Sequence, residues 1–150
     1  MDQAESPVLL AIEQAVATVT LNRPRVLNAI DPQMARSLAD AIERIARDGT
    51  ARVLLLRGEG RAFCAGGDVA RFFDGDPAAA IEAIIDPVHA ALRALDALKL
   101  PTLAAVQGPV AGAGFSLSMA CDLCIAADDA VFTLAFARIG ISPDSSSTYR

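Results

Sequence analysis

Two periods of apolar and polar positions take turns along this chain, and their exchange predicts its elements. Val8 to Glu13 and Val16 to Leu21, with Thr18 and Thr20 alternating against Val19 and Leu21, read as two strands of a hairpin turning at Gln14-Ala15. After the polar loop Asn22-Arg23-Pro24-Arg25-Val26-Leu27-Asn28-Ala29, Asp31 and Pro32 form a helix start, an N-cap followed by proline at the first helical position. Met34, Leu38, Ala41, Ile42 and Ile45 then keep helical spacing, and Asp48-Gly49 predicts the end. Val53 to Arg57 returns to the strand pattern, so the opening is β-β-α-β. Phe72-Phe73-Asp74-Gly75-Asp76-Pro77 reads as a surface excursion before a long helix from about Ala78 to Leu98, with Ile81, Ile84, Ile85, Val88, Leu92 and Leu95 on one side. Lys99-Leu100-Pro101 ends it. Strands at Leu103–Val106, Leu123–Ala127 and Ala130–Thr133 follow, with an apolar helical stretch from Phe115 to Ala120 between the first two. The recurrence of strand–strand–helix units predicts an α/β protein built as a β-β-α spiral rather than a doubly wound sheet.

Glycines interrupt this pattern at two corresponding places. Gly60-Arg61-Ala62-Phe63-Cys64-Ala65-Gly66-Gly67-Asp68 follows the apolar run Val53-Leu54-Leu55-Leu56, and Gly108-Pro109-Val110-Ala111-Gly112-Ala113-Gly114 follows Leu103-Ala104-Ala105-Val106. Each is a strand, a small-residue turn and an amphipathic or apolar segment read as a helix, that segment starting at Val69 in the first junction and at Phe115 in the second. Such a junction leaves free backbone N–H groups where developing negative charge is stabilised. A Gly-Gly pair alone marks only a loop that needs unusual dihedrals. Two such junctions can supply two N–H donors to one oxygen, which is the arrangement of an oxyanion hole.

Composition narrows the remaining chemistry. At 150 residues and 53% hydrophobic content the chain suffices for one domain with its own core and no internal boundary. Its net charge is −5 and no basic run is dense enough to track a phosphate backbone, so nucleic acid is not an expected partner. No apolar run reaches the length that spans a bilayer, and Met1-Asp2-Gln3-Ala4-Glu5 lacks the positive start of a signal peptide. A cytoplasmic protein with no membrane partner is expected. Cys64, Cys121 and Cys124 are too few for a disulfide framework. Cys121-Asp122-Leu123-Cys124 has metal or redox spacing, but it lacks a second pair and has only His89 to complete a site, so buried thiols and no metal are expected.

Two familiar motifs fail residue by residue. A dinucleotide fingerprint beginning at Gly112 needs glycine or alanine where Leu117 stands. A nucleophile elbow running Gly114-Phe115-Ser116-Leu117 needs glycine at Ser118. What survives is a site of backbone donors with a carboxylate for proton transfer.

Asn22-Arg23-Pro24 with Leu27-Asn28-Ala29, the two glycine stretches, and Ala120-Cys121-Asp122-Leu123 occur in an order and spacing that resemble the enoyl-CoA hydratase/isomerase (crotonase) superfamily from about Val8 to Arg150. The resemblance implies a crotonase-like spiral, a coenzyme A thioester substrate with no permanently bound cofactor, an oxyanion hole for a thioester enolate, and a homotrimer or hexamer. By position, the donors would be the backbone N–H groups of Gly67 and Ala113. Ala65 and Gly66 would contact the coenzyme through their backbone, and Arg23, Arg25, Leu27 and Ala29 would lie in the loop beside its nucleotide end, where arginine suits phosphate. Asp68 reads as a cap of the helix after it.

Departures from the family pattern bear on the reaction. Relatives that hydrate a double bond use two glutamates on water, and the corresponding pocket positions here hold Ser116 and Phe136. Neither is a carboxylate base. Asp144, in Ser142-Pro143-Asp144, matches the aspartate that double-bond isomerases of the phenylacetate-degradation type use to shuttle a proton, and that a related dehalogenase uses as nucleophile. By pattern alone Asp144 reads as a turn residue after proline, and only its aligned position points to catalysis. Ser145-Ser146-Ser147 stands where the family usually has glycines. Family members continue past Arg150, so the C-terminal helical part that covers the site is expected to be absent from this chain, leaving apolar surface exposed. Three readings follow: an isomerase using Asp144, a hydratase using a displaced acid, and a non-catalytic acyl-CoA-binding subunit.

Overall fold

A computed structural model describes residues 6–68, 77–136, 140, 142 and 143 of the chain. Strands β1 (Val8–Glu13) and β2 (Val16–Leu21) form the antiparallel hairpin, with Gln14 and Ala15 both at positive φ (49° and 65°) in its turn. A 3₁₀ turn at Pro24–Val26 leads to helix α1 (Pro32–Asp48), and the Asp31 side chain accepts the Met34 N–H at 2.8 Å as the predicted cap. Gly49 closes that helix in the left-handed region (φ 72°), where glycine has no Cβ to strain. Strand β3 (Val53–Gly58) follows, then α2 (Pro77–Ala97), β4 (Thr102–Val106), β5 (Pro109–Ala111), α3 (Ala113–Met119), β6 (Leu123–Ala126) and β7 (Val131–Thr133). The segment after Val69, read as amphipathic, lies outside the described residues.

The main sheet has the order β1-β2-β3-β4-β6, and every pairing after the hairpin is parallel. Parallel neighbours need crossovers, and α1 and α2 supply two of them. Alternation along β2, β3 and β4 buries Ala17, Val19, Leu21, Leu54, Leu56, Ala104 and Val106 in one core with Leu38 and Ile42 of α1 and Val88 and Leu92 of α2. A second, smaller sheet pairs β5 with β7, and Cys64 joins it through a parallel bridge to Val110. The repeat is now visible. After β3, β4 and β6 in turn, the chain leaves the main sheet and sends a short extended piece (Cys64, β5, β7) into the small one.

Among the described residues the predicted strands and the predicted helices stand, with the 3₁₀ turn and one strand added, while the excursion read at Phe72 to Asp76 lies outside them. Pro109–Ala111, which reads as part of a glycine turn, is a strand. Its three residues are too few for a period to show, and only tertiary pairing defines it. The last strands leave apolar side chains in the open: Leu123 and Ile125 of β6 are 65% and 62% exposed, and Val131 of β7 is 63% exposed. Among the described residues no helix is long and apolar enough to cross a membrane.

Candidate active site at two glycine turns

Parallel pairing of β3 and β4 brings both glycine stretches out at the same end of the sheet. There they meet backbone to backbone. Gly66 has φ 102°, and a Cβ on it would stand 3.1 Å from the Ala111 carbonyl oxygen and 3.6 Å from the Gly112 Cα. Gly112 has φ 51° and lies against Gly66 in return. Only glycine combines a positive φ with so close an approach. Gly114 comes nearer still, since a Cβ there would fall 2.5 Å from the Cys64 carbonyl oxygen and 2.8 Å from its Sγ.

The hydrogen-bond pattern fixes which groups stay available. Ile30 donates to the Gly66 carbonyl at 2.8 Å and accepts from the Asp68 N–H at 2.9 Å, a parallel bridge that flanks Gly67. In such a bridge the central residue's own N–H points away from its partner, so the Gly67 N–H faces away from Ile30. Ala113 occupies the first position of α3, where the N–H has no acceptor within the helix. Neither the Gly67 nor the Ala113 N–H donates to an acceptor among the described residues. On either side of the first turn of α3 the N–H groups are bound, Gly112 donating to Thr133 at 3.1 Å and Ser116 donating to Gly112 at 3.1 Å, whereas Gly114 and Phe115 share that open turn with Ala113.

Other predicted site residues take definite places. Ala65 donates its N–H to the Leu27 carbonyl at 3.0 Å, which ties the turn to the polar loop. Leu27 is half-buried and left-handed (φ 54°), Ala29 is buried, and Arg25 is exposed. Arg23 turns inward: its guanidinium bonds Asp68 Oδ2 at 3.2 Å, Asp31 Oδ2 at 3.2 Å and the Ala29 carbonyl. The Asp68 carboxylate, read as a helix cap, is thus held by Arg23. Ser116 is fully buried and its hydroxyl donates to the Gly112 carbonyl at 3.4 Å. Phe136 is buried, and its segment runs beside Gly112, whose missing Cβ would lie 3.9 Å from the Leu134 carbonyl oxygen. Asp144 lies outside the described residues.

Two supports of the site carry no role in the sequence reading. Asn28, fully buried and left-handed (φ 55°), accepts the Arg23 N–H at 2.8 Å and donates to the Glu59 and Ala62 carbonyls at 2.9 and 2.8 Å. Gln107 donates to the Gly58 and Gly60 carbonyls at 2.9 and 2.8 Å. At the opposite end of the sheet, where β4 and β6 begin, Asp122 accepts both the backbone N–H and the hydroxyl of Thr102, each at 2.8 Å, and these bonds hold its carboxyl below the ordinary value. An asparagine in a loop tolerates the left-handed region, which is the one sequence signal available for Asn28. Between the turns, burial pushes the Cys64 thiol up to about 12, although the Gly66 N–H, 3.5 Å from Sγ, pulls the other way. It stays a neutral thiol. Among the described residues no group of three or more His, Cys, Asp or Glu side chains could hold a metal ion.

Sequence and structure comparisons bear on the family and the fold. The profile of the enoyl-CoA hydratase/isomerase family matches residues 11–150. A probable enoyl-CoA hydratase of Rhodobacter capsulatus is 43% identical over 142 residues, which cover 92% of this chain and 52% of that protein. A 1,2-epoxyphenylacetyl-CoA isomerase of Escherichia coli is 39% identical over 148 residues, 95% of this chain and 55% of that protein. The crystal structure of an enoyl-CoA hydratase from Mycobacterium avium subsp. paratuberculosis superposes with a TM-score of 0.86 at 34% identity, covering 95% of this chain and 56% of the other. The chain spans about half the length of the curated relatives it matches. With a family profile matched over nearly its whole length and a crotonase-like spiral in its structure, the chain belongs to the enoyl-CoA hydratase/isomerase family.

Proposed function

We propose that the protein isomerises the double bond of an enoyl-CoA through a thioester enolate. The observation that carries this reading is the contact of the two glycine turns, which leaves the neighbouring Gly67 and Ala113 N–H groups without acceptors among the described residues. In the proposed step, the Asp144 carboxylate removes a proton alpha or gamma to the thioester. The two N–H groups hold the oxygen that becomes negative, and the resulting acid returns the proton to the other carbon. Fixed donors aimed at the enolate oxygen stabilise it more than the ground-state carbonyl, and losing one typically costs about a hundred- to a thousandfold in rate. Arg25, Leu27, Ala29, Ala65 and Gly66 are assigned to the coenzyme's side of the site. Of the two loop arginines, the exposed Arg25 is the one free to meet phosphate. A cytoplasmic homotrimer or hexamer without a bound metal completes the proposal on family resemblance.

The burial of Ser116 and Phe136 supports isomerisation over hydration, because both stand at positions given to glutamates in hydratases and neither can activate water. The hydratase name of the Rhodobacter relative is what favours the second reading, with an acid supplied from elsewhere in the chain. The test gives the protein at its full native length a 3-enoyl-CoA and follows the absorbance of the conjugated 2-enoyl thioester. Asp144→Asn should lower that rate by roughly 10²- to 10⁴-fold. Equal rates in both proteins would remove Asp144 from the mechanism. Hydration of a 2-enoyl-CoA that survives Asp144→Asn would instead establish the hydratase reading.

A further inference from the structure

We infer that Arg23 is a positioning residue for the Gly67 N–H, acting through Asp68, and that its charge is used inside the protein rather than on the coenzyme. The inference rests on the oxyanion-hole reading above. Its basis is where the guanidinium reaches. Arg23 bonds the Ala29 carbonyl and the Asp31 carboxylate, the residues on either side of Ile30, and the Asp68 carboxylate, the residue after Gly67. Ile30 and Gly67 are themselves the paired residues of the parallel bridge. One planar fork therefore straddles the bridge from both strands, and it holds the side chain of Asp68, whose own N–H pairs with Ile30 and which directly follows the residue that carries the open N–H.

Charge and burial agree with this assignment. The three side chains are 19%, 12% and 16% exposed, so the pairs are shielded from most solvent screening. One guanidinium faces two carboxylates, which leaves the cluster with a net negative charge that repels phosphate. Arginine suits the position because its five donors leave in fixed directions, whereas a lysine ammonium would have to choose among the three acceptors. Asp31 adds a further link, since its other oxygen caps α1 through Met34. The Gly67 turn is thereby anchored to the start of α1, a helix seated in the core.

The test measures polarisation of a bound thioester, which is independent of turnover. A 2-enoyl-CoA is bound to the full-length protein, and the shift of its carbonyl stretch on binding is compared in wild type, Arg23→Met, Arg23→Lys and Asp68→Asn, alongside kcat, KM and the affinity for free coenzyme A. A downshift in wild type that shrinks in Arg23→Met and Asp68→Asn is expected, with kcat lower by roughly 10- to 100-fold. KM and coenzyme A affinity should change less than about threefold, and Arg23→Lys should fall between Arg23→Met and wild type. The double variant should lose no more than Arg23→Met alone, because both act through one contact. A full shift in Arg23→Met with weakened coenzyme A binding would overturn the inference and make Arg23 a phosphate ligand. Should Arg23→Met not fold, Asp68→Asn decides, since it leaves Arg23 on Asp31 and Ala29; an unchanged shift there overturns the inference. Absence of any shift in wild type would mark the failure of the oxyanion-hole reading itself.

Discussion

The two glycine turns end alike but are built by different means. The first, after β3, adds to its main-chain bonds a set of side chains from far away: Asn28, Gln107 and Arg23 each reach across to it from other loops. The second, after β4, is held by main chain, through strand β5, the bond from Gly112 to Thr133 and the approach of Gly114 to Cys64. Both turns are thus vulnerable to adding atoms, a Cβ on Gly58 falling 2.4 Å from the Phe63 carbonyl oxygen much as one on Gly114 falls 2.5 Å from that of Cys64, and the first is vulnerable to removing them as well. Cys64 sits between them and belongs to both, bridged to β5 through its backbone and bonded to Gly66 through its sulfur.

The largest effect should come from adding one methyl group to the second turn. In Gly114→Ala the new Cβ would meet Cys64 backbone and Cβ at 2.5 and 2.6 Å, and neither can yield without moving the turn. We expect a loss of about 3 kcal/mol or more in urea unfolding, the upper end of overpacking costs. A midpoint like that of wild type would show that α3 can shift freely and that the close approach is not a constraint. Next in size is the reverse operation on the first turn. Asn28→Ala strands the Arg23 N–H and the Glu59 and Ala62 carbonyls, and roughly 2–3 kcal/mol should be lost by the same measurement. A smaller loss in Asn28→Ala than in an exposed control such as Gln33→Ala would end the claim that side chains hold this turn.

The smallest effect concerns the thiol that both turns share. In the unfolded chain Cys64 loses its proton near its ordinary value of 9.0, whereas in the folded protein it keeps it up to about 12. Protons are then bound more tightly by the native state, so its contribution is complete below about pH 9 and declines as pH rises from there toward about 12. By about pH 10 the decline should be about 1 kcal/mol. Comparing the pH slope of wild type with that of Cys64→Ala isolates this from Cys121 and Cys124. Identical slopes would place the sulfur in contact with water.

Most of the frame was legible because it is written in local chemistry. The Asp31-Pro32 start, the Gly49 stop and the alternation of β2 and β3 are decided within a few residues, and the structure has them where the pattern puts them. The glycine stretches were legible as turns for the same reason. What the turns lean on was not. The bonds from Asn28 span 31 and 34 residues, those from Arg23 to Asp68 span 45, and those from Gln107 span 47 and 49, so no window of sequence contains both ends. Arg23 shows the cost of that blindness. In a loop with Pro24 and Arg25 it reads as a cation facing outward, and only the fold brings Asp31 and Asp68 to it.

The groups left open at the meeting of the turns are main-chain N–H groups, and this redistributes where the sequence can drift. Any L-residue that keeps the local conformation presents the same N–H at position 113, so exchange there is cheap to the chemistry proposed. The constraint falls instead on neighbours that never point toward that space: glycine at 66, 112 and 114, and a small side chain at 64. A record of substitutions collected at this site would therefore be quiet around the open donors and loud beside them.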